Sequence, residues 1–153
     1  MKIAVMGAGG VGGYFGGRLA QAGNEVVFIA RGKHLDALRA TGLSLKSPAG
    51  DATVKVKAVE DPADAGSAEV VLFAVKLWDT ETAAEAIRPL VANGGAVIPF
   101  QNGVESIERI GAVLGREHVM GGAAYIAARI GEAGFLKPRP EQFGHVPFPG
   151  PPG

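Results

Sequence analysis

The stretch Met1–Arg31, MKIAVMGAGGVGGYFGGRLAQAGNEVVFIAR, decides the fold. Lys2–Met6 is a short apolar run that ends at a glycine, which is typical of a fully buried strand. A second apolar run, Glu25–Ala30, predicts another strand, and Gly23-Asn24 before it ends a helix. The helix itself is predicted from apolar residues at helical spacing, forming one stripe against a sheet: Val11, Tyr14, Phe15, the aliphatic stem of Arg18, Leu19 and Ala22.

The turn of this strand–turn–helix unit is a complete GxGxxG motif, made of Gly7, Ala8, Gly9, Gly10, Val11 and Gly12. We predict that Gly7 permits the tight turn, Gly9 lets a pyrophosphate approach the backbone, and Gly12 lets the helix pack closely on the strand. The helix N-terminus then offers N–H groups and a positive dipole end to the phosphates. Such a motif is weak evidence in a chain with 24 glycines, but its context here predicts a dinucleotide site.

The residue at the end of the second strand indicates which dinucleotide binds. An NAD site places Asp or Glu near this point to accept hydrogen bonds from the ribose 2′-hydroxyl. This chain has Arg31 instead, followed by Lys33 and His34. A guanidinium holds a 2′-phosphate through two hydrogen bonds, whereas a carboxylate would repel it. The alternative is a solvated arginine, and the sequence favours NADP(H).

Composition and charge exclude several classes of function. Fifteen Lys and Arg balance fifteen Asp and Glu in 153 residues, so nothing predicts a nucleic-acid or anionic-membrane partner. The absence of cysteine excludes disulfides and thiol chemistry, and three scattered histidines give no metal-ligand spacing. No apolar run reaches membrane-spanning length and no signal-peptide pattern precedes the first strand, so we expect a cytoplasmic protein.

The rest of the chain alternates strands and helices, which predicts an α/β fold: a Rossmann-type, doubly wound, mostly parallel sheet with helices on both faces. Further strands are predicted at Ala68–Val75, Ala96–Phe100 and His118–Ala128. Helices are predicted at Lys33–Ala40, from Asp79 through Val91, and from Gln101-Asn102-Gly103 to Leu114. A hairpin pairs Leu43–Leu45 with Val54–Val56, and a short helical turn opens at Asp61-Pro62.

Ligands of such sheets bind beyond the carboxyl ends of the strands, where this chain places Arg31, Lys76 and Asn102. The Lys76 ammonium either reaches a phosphate or ribose, or lies in solvent with its stem on the surface. Asn102 either orients a nicotinamide ribose or a substrate, or caps the next helix, because Glu105 follows at capping-box spacing.

Taken together, the residues resemble the N-terminal domain of the ketopantoate reductases (2-dehydropantoate 2-reductases). The resemblance is carried by Lys2–Gly16, the strand ending at Arg31, Phe73–Lys76, Gln101–Glu105, and Met120–Gly122 with Ala127-Ala128. It implies that the glycine loop holds the NADPH pyrophosphate and that Arg31 and Lys76 take the 2′-phosphate. It also implies that Asn102 contacts both cofactor and substrate, and that the Ala127 backbone lines the cofactor site. The implied reaction is NADPH-dependent reduction of a small 2-keto acid, 2-dehydropantoate, to pantoate for pantothenate and coenzyme A biosynthesis.

The same resemblance places the family's proton-donating lysine and substrate-positioning glutamate in a following helical domain, so no catalytic residue is expected here. We expect an NADP-binding domain over residues 1–137 and a Pro/Gly-rich closing strand and tail over 138–153. Gly134–Leu136 and Gly144–Phe148 would form the closing hairpin. The chain would then be a fragment, a truncated product or half of a split enzyme. It would be inactive alone and would expose a surface for self-association or a partner chain.

Two other functions remain open from the sequence. One is a non-catalytic NADP(H)-binding module or sensor, which fits the same residues. The other is an NAD-linked dehydrogenase of the hydroxyacid or phosphogluconate type, which Arg31 and the Gln101–Gly103 stretch disfavour.

Overall fold

The computed structural model describes residues 1–47, 50–76, 79–101, 105–121, 128–132 and 135–138. The strands are β1 (Lys2–Met6), β2 (Glu25–Ile29), β3 (Leu43–Leu45), β4 (Ala52–Val54), β5 (Lys57–Val59), β6 (Val70–Phe73), β7 (Ala96–Pro99), β8 (Ala128–Glu132) and β9 (Phe135–Pro138). The helices are α1 (Gly10–Gln21), α2 (Gly32–Thr41), α3 (Thr80–Ala86), α4 (Arg88–Val91) and α5 (Ser106–Leu114). Within the described ranges, no helix has the length and apolar character needed to cross a bilayer.

The main sheet has five parallel strands in the order β5-β2-β1-β6-β7. The chain moves outward from β1 to β2 and β5, then returns to the other side of β1 through β6 and β7. The strand order therefore reverses between β1 and β6, which is the switch point where such sheets bind ligands. This topology confirms the predicted Rossmann-type fold.

Helices cover both faces of this sheet. Leu35 and Leu38 of α2 pack in one core cluster with Val5 and Phe28, whereas α3, α4 and α5 pack on the opposite face. The predicted single helix after Asp79 is wrong in one respect, because it breaks at Ile87 into α3 and α4. Pro89 explains the break, since it has no N–H to continue the helical hydrogen bonds.

A second sheet has the order β4-β3-β9-β8. The predicted hairpin is confirmed, but Leu43 pairs with Val54, so the return strand is Ala52–Val54 rather than Val54–Val56. The closing hairpin differs from its prediction, because β9 pairs antiparallel with β8 and parallel with β3. Its expected partner, residues 144–148, lies outside the described residues. The helical turn predicted at Asp61-Pro62 is confirmed as a 3₁₀ turn over Pro62–Ala65.

The prediction of a strand from His118 to Ala128 is wrong at its start. Arg116–His118 forms a 3₁₀ turn, in which the His118 and Val119 N–H groups donate to the carbonyls of Gly115 and Arg116. These bonds occupy donors that a strand would use, so Val119 makes only an isolated bridge to Val97 of β7. The next described strand begins at Ala128.

The face that α1 presents to the main sheet is made of glycine, not of the predicted apolar stripe. The buried residues of α1 are Gly12, Gly13, Gly16 and Gly17. A Cβ on Gly16 would come within 2.7 Å of Val5 Cγ2 and 2.8 Å of a Phe28 ring carbon. On Gly17 it would come within 2.8 Å of Leu43 Cδ2 of β3, so both sheets approach α1 too closely for a side chain.

The residues of the predicted stripe flank this glycine face. Val11, Tyr14, Phe15 and Leu19 are half-buried, and Ala22 is exposed. The Phe15 ring stacks on Phe100, with centroids 5.3 Å apart. The Arg18 guanidinium donates to the Gly50 carbonyl and to Gln21 Oε1. Gly23 ends α1 as predicted, with φ of 98° and the paired backbone hydrogen bonds of a Schellman motif.

Candidate functional site

A cleft of about 330 Å³ opens at the carboxyl ends of the strands, beside the switch point between β1 and β6. The glycine loop, the ends of β2 and β5, the start of α2 and one side of α3 line it. The lining residues are Met6, Gly7, Ala8, Gly9, Ile29, Ala30, Arg31, His34, Glu60, Val75, Asp79, Thr82, Ala83 and Ala86. The structure therefore places the first half of the GxGxxG motif and Arg31 around the same cleft as the α3 residues, which are distant from them in sequence.

Two glycines of the loop are required by neighbouring protein atoms. Gly7 has φ of 96°, and a Cβ there would lie 2.8 Å from the carbonyl carbon and oxygen of Ala74. A Cβ on Gly12 would collide with the Gly7 carbonyl oxygen and lie 3.0 Å from Val5 Cγ1. These contacts agree with the predicted tight turn at Gly7 and with the close helix–strand approach at Gly12.

Gly9 differs from both, because a Cβ there would meet no atom of the described residues within 4 Å. Its φ of −77° is also open to any residue. Gly9 lines the cleft directly before α1, where the first N–H groups of a helix have no partner within the helix. The space above Gly9 and these N–H groups fit a dinucleotide diphosphate, which is the group predicted there.

His34 fixes the glycine loop to α2. Its Nε2 lies 2.7 Å from the Ala8 carbonyl oxygen, and because a carbonyl only accepts, Nε2 carries the donated hydrogen. Sequence reasoning noted His34 beside Arg31 but gave it no role. No local pattern indicates this contact, since 26 residues separate the partners.

Arg31 lies at the N-terminus of α2, with an exposed side chain that lines the cleft. Within the described part of the chain, its guanidinium has no hydrogen-bond or ionic partner. Lys76 comes three residues after β6 at the same edge of the sheet and is exposed, but it is not among the residues lining the cleft. Two other predicted site residues, Asn102 and Ala127, lie outside the described residues.

Gln101 joins three elements beside the cleft and was not singled out from the sequence. Its Nε2 donates to the Val75 carbonyl at 3.0 Å and to Thr80 Oγ1 at 2.9 Å, linking the ends of β6 and β7 to the start of α3. Thr80 is fully buried, and Gln101 Oε1 is buried with no hydrogen-bond partner among the described residues. The junction holds Val75 and the first turn of α3, both of which contribute to the cleft wall.

Ion pairs stabilise the helices on the α3 side. Arg109 of α5 forms two hydrogen bonds of 2.7 Å with the Glu81 carboxylate of α3, which lowers the pKa of Glu81 to about 2. Arg88 likewise lowers the pKa of Glu85. The Glu81 pair matters to the cleft, because it holds the helix that supplies Thr82, Ala83 and Ala86.

On α1, a hydrogen bond to Ser47 lowers the pKa of Tyr14.

Comparison with known families gives a match over most of the chain. The family model described as ketopantoate reductase PanE/ApbA matches residues 3–141. A 2-dehydropantoate 2-reductase of Archaeoglobus fulgidus is 35% identical over 149 residues, covering 97% of this chain and 44% of its own length. The chain spans about half the length of the curated relatives it matches.

Solved structures give the same result. A PanE/ApbA family ketopantoate reductase from Ralstonia eutropha JMP134 is 42% identical, with a TM-score of 0.83 over 90% of this chain and 46% of its own. The ternary structure of D-mandelate dehydrogenase with NADH and anilino(oxo)acetate is 25% identical, with a TM-score of 0.82 over 91% of this chain and 46% of its own. The structural neighbours thus include a protein with bound NADH.

Proposed function

The chain belongs to the ketopantoate reductase family, and from that premise we propose that it is the NADP(H)-binding part of an enzyme that reduces 2-dehydropantoate to pantoate. The cofactor-binding domain would span residues 1–137, with residues 138–153 as a closing strand and tail. The observation that carries the proposal is the open space at Gly9, because no atom of the described residues would meet a side chain there.

The residues of the cleft have distinct roles in this proposal. The N–H groups at the start of α1 bind the diphosphate, and the absence of a side chain at Gly9 lets it approach. Arg31 binds the adenosine 2′-phosphate, assisted by Lys76, which follows β6 at the same edge of the sheet. His34 and Gln101 hold the loop and the α3 wall in place through the contacts to Ala8 and Val75.

When bound, the reduced nicotinamide supplies the hydride for the keto carbon. Asn102 and the Ala127 backbone would orient the nicotinamide end, and Asn102 would contact the substrate. The proton for the new hydroxyl would come from a lysine of the family's helical domain rather than from this chain. This division of labour makes the chain a binding unit that needs a second unit for turnover.

The cofactor would be NADP(H) rather than NAD(H). D-mandelate dehydrogenase, a structural neighbour, was solved with NADH, so family membership alone does not decide this choice. What favours the phosphorylated cofactor is Arg31, whose guanidinium lines the cleft at the end of β2, where an NAD site would carry a carboxylate.

Substitution of Gly9 tests the proposal most directly. In Gly9→Ala, the added methyl meets no atom of the described residues, and alanine caps a helix less well than glycine. The free energy of unfolding should therefore change by no more than about 1 kcal/mol in either direction. The methyl would occupy the space of the diphosphate, so the affinity for NADPH should fall at least about tenfold, as measured by calorimetric titration. The matched control is Gly111→Ala in α5, where a Cβ comes no closer than 3.4 Å to any neighbour. If NADPH bound Gly9→Ala as tightly as the parent chain, or bound neither, the proposal would be wrong.

A further inference from the structure

Glu60 places a carboxylate at the outer end of the cleft. It directly follows β5, the edge strand beyond β2. Ile29 of β2 pairs with Val59, and the Ala30 N–H donates to the Val59 carbonyl at 3.0 Å. Glu60 therefore emerges beside Ala30, one residue from Arg31, and both charged side chains line the same cleft.

The Arg31 guanidinium and the Glu60 carboxylate at this end of the cleft do not form an ion pair with each other. In the part of the chain that the structure describes, neither the Arg31 guanidinium nor the Glu60 carboxylate makes a hydrogen bond or an ion pair. Both side chains are exposed, so their polar atoms remain available to a bound molecule. A guanidinium only donates hydrogen bonds and a carboxylate only accepts them, so this end suits a ligand with an anionic group and a donor.

Apolar residues form part of the cleft wall. Ile29, Val75, Ala83 and Ala86 line the cleft from β2, the end of β6 and α3. Val59, the residue before Glu60, packs in the same core cluster as Ile29 and Ala83. A slot with small apolar walls and a polar rim fits a flat heteroaromatic ring.

We propose that Glu60 is the specificity-determining residue for the base, and that its carboxylate accepts a hydrogen bond from the exocyclic amino group of adenine. The inference rests on the proposed binding of NADP(H), and it assigns the adenine base of that ligand to the end of the cleft beside Glu60. Adenine presents a donor at position 6, whereas hypoxanthine presents an acceptor at the same place. A carboxylate attracts the first and repels the second, so Glu60 selects adenine dinucleotides over their deaminated analogues.

Calorimetric titration of the full chain with two ligands tests this assignment. The ligands are NADPH and the reduced nicotinamide hypoxanthine dinucleotide phosphate, which differ at position 6 of the base and at the adjacent N1, which carries a hydrogen in hypoxanthine. The parent chain should bind NADPH about tenfold more tightly, the scale of one hydrogen bond to a charged group. In Glu60→Gln the preference should shrink to within about twofold, because an amide can donate to the hypoxanthine oxygen as well as accept from adenine.

Two further variants sharpen the test. Asp64→Asn removes an exposed carboxylate from the 3₁₀ turn outside the cleft lining, and it should retain the parent preference. Asp79→Asn removes the second carboxylate that lines the cleft, and loss of the preference there rather than in Glu60→Gln would assign the base to Asp79 and overturn the inference. Equal changes for both ligands in Glu60→Gln would also overturn it, because they would mark a general charge effect. If the parent chain binds neither ligand, the proposed function fails and the assignment with it. If it binds both equally, only the assignment fails.

Discussion

Gly7 and Gly12 are restricted to glycine by the protein atoms around them, whereas Gly9 faces open space in the cleft. The same difference applies along α1, where Gly16 and Gly17 are enclosed by side chains of the two sheets. Each of these five glycines is therefore explained either by a neighbour or by a ligand. The two explanations predict opposite effects of adding a methyl group on stability and on binding.

Gly16→Ala should destabilise the fold. The added Cβ would lie 2.7 Å from Val5 Cγ2 and 2.8 Å from the Phe28 ring, inside a fully packed core. We expect a loss of about 1–3 kcal/mol from overpacking, which exceeds the gain of up to about 1 kcal/mol in helix propensity. Chemical denaturation measures the difference, with Gly111→Ala as the helix control that should be neutral or stabilising. A Gly16→Ala variant more stable than the parent chain would contradict the close approach of α1 to the sheet.

Arg31→Ala should weaken NADPH binding far more than NADH binding. Loss of charge-assisted hydrogen bonds to the 2′-phosphate corresponds to about 1.5–3 kcal/mol, or roughly a 10- to 100-fold rise in Kd for NADPH. The Kd for NADH should change little, because it lacks the phosphate. Lys33→Ala, an exposed neighbour outside the cleft lining, is the control. Parallel losses for both cofactors would remove the basis for phosphate recognition by Arg31.

Only some residues of the cleft could be predicted from the sequence. The glycine loop and Arg31 follow from local motif spacing, and the structure places Gly7, Gly9 and Arg31 around one cleft. His34 and Gln101 could not be predicted, because their partners lie 26 residues away or on another element. Such contacts depend on how the strand ends are arranged in the folded protein, and the spacing of residues along the sequence does not indicate that arrangement.

At the scale of elements, hydrophobic runs predicted the long strands and most helices, but they misassigned the buried face of α1. Apolar periodicity assumes that the larger side chains face the sheet. Here β1 and β2 lie so close to α1 that only glycine fits, and the apolar residues move to the flanks. The strand β5 was not predicted.

The pair between α3 and α5 gives a prediction at this scale. The Arg109 hydrogen bonds lower the pKa of Glu81 from 4.5 to about 2 in the folded chain. Since the folded-state pKa lies below the unfolded one, the pair stabilises the fold above about pH 4.5, and this contribution is lost as the pH falls toward 2.

Glu81→Gln should therefore reduce the acid dependence of stability. At neutral pH the loss should be small, because both partners are partly exposed to solvent. Urea unfolding over a pH series below neutrality measures the slope, which should be shallower for Glu81→Gln than for the parent chain. Glu108→Gln, exposed on α5, should keep the parent slope. An unchanged slope in Glu81→Gln would show that the ion pair does not form in solution.

For the whole molecule, the fold class and family could be predicted from the sequence, because the glycine loop, Arg31 and the strand-end residues occur in one order along one chain. The apolar surface that we expected to be exposed for contact with another domain or a second copy of the chain could not be located from the sequence. Within the described residues, the large apolar side chains that are exposed are Met1 and Met120. Self-association through an apolar surface therefore stays a prediction, which sedimentation at increasing concentration can test.

The chain as given should bind NADPH and turn over little 2-dehydropantoate. The loss of a general acid alone typically lowers a rate by a factor of about a hundred to ten thousand. The measurement is NADPH consumption with 2-dehydropantoate, first by the chain alone and then with the helical half of a relative supplied. Turnover by the chain alone at the rate of a full-length relative would show that the catalytic group lies within these residues.

The glycine face of α1 also governs how the site meets its ligand. With Val5 and Phe28 against Gly16 on one side and Leu43 against Gly17 on the other, close packing restricts tilting and sliding of the helix axis. The amides at its first turn thus point in a fixed direction before any anion arrives. A site with a backbone that is already ordered loses little conformational entropy when the ligand binds. The binding free energy is therefore not reduced by the cost of ordering the backbone.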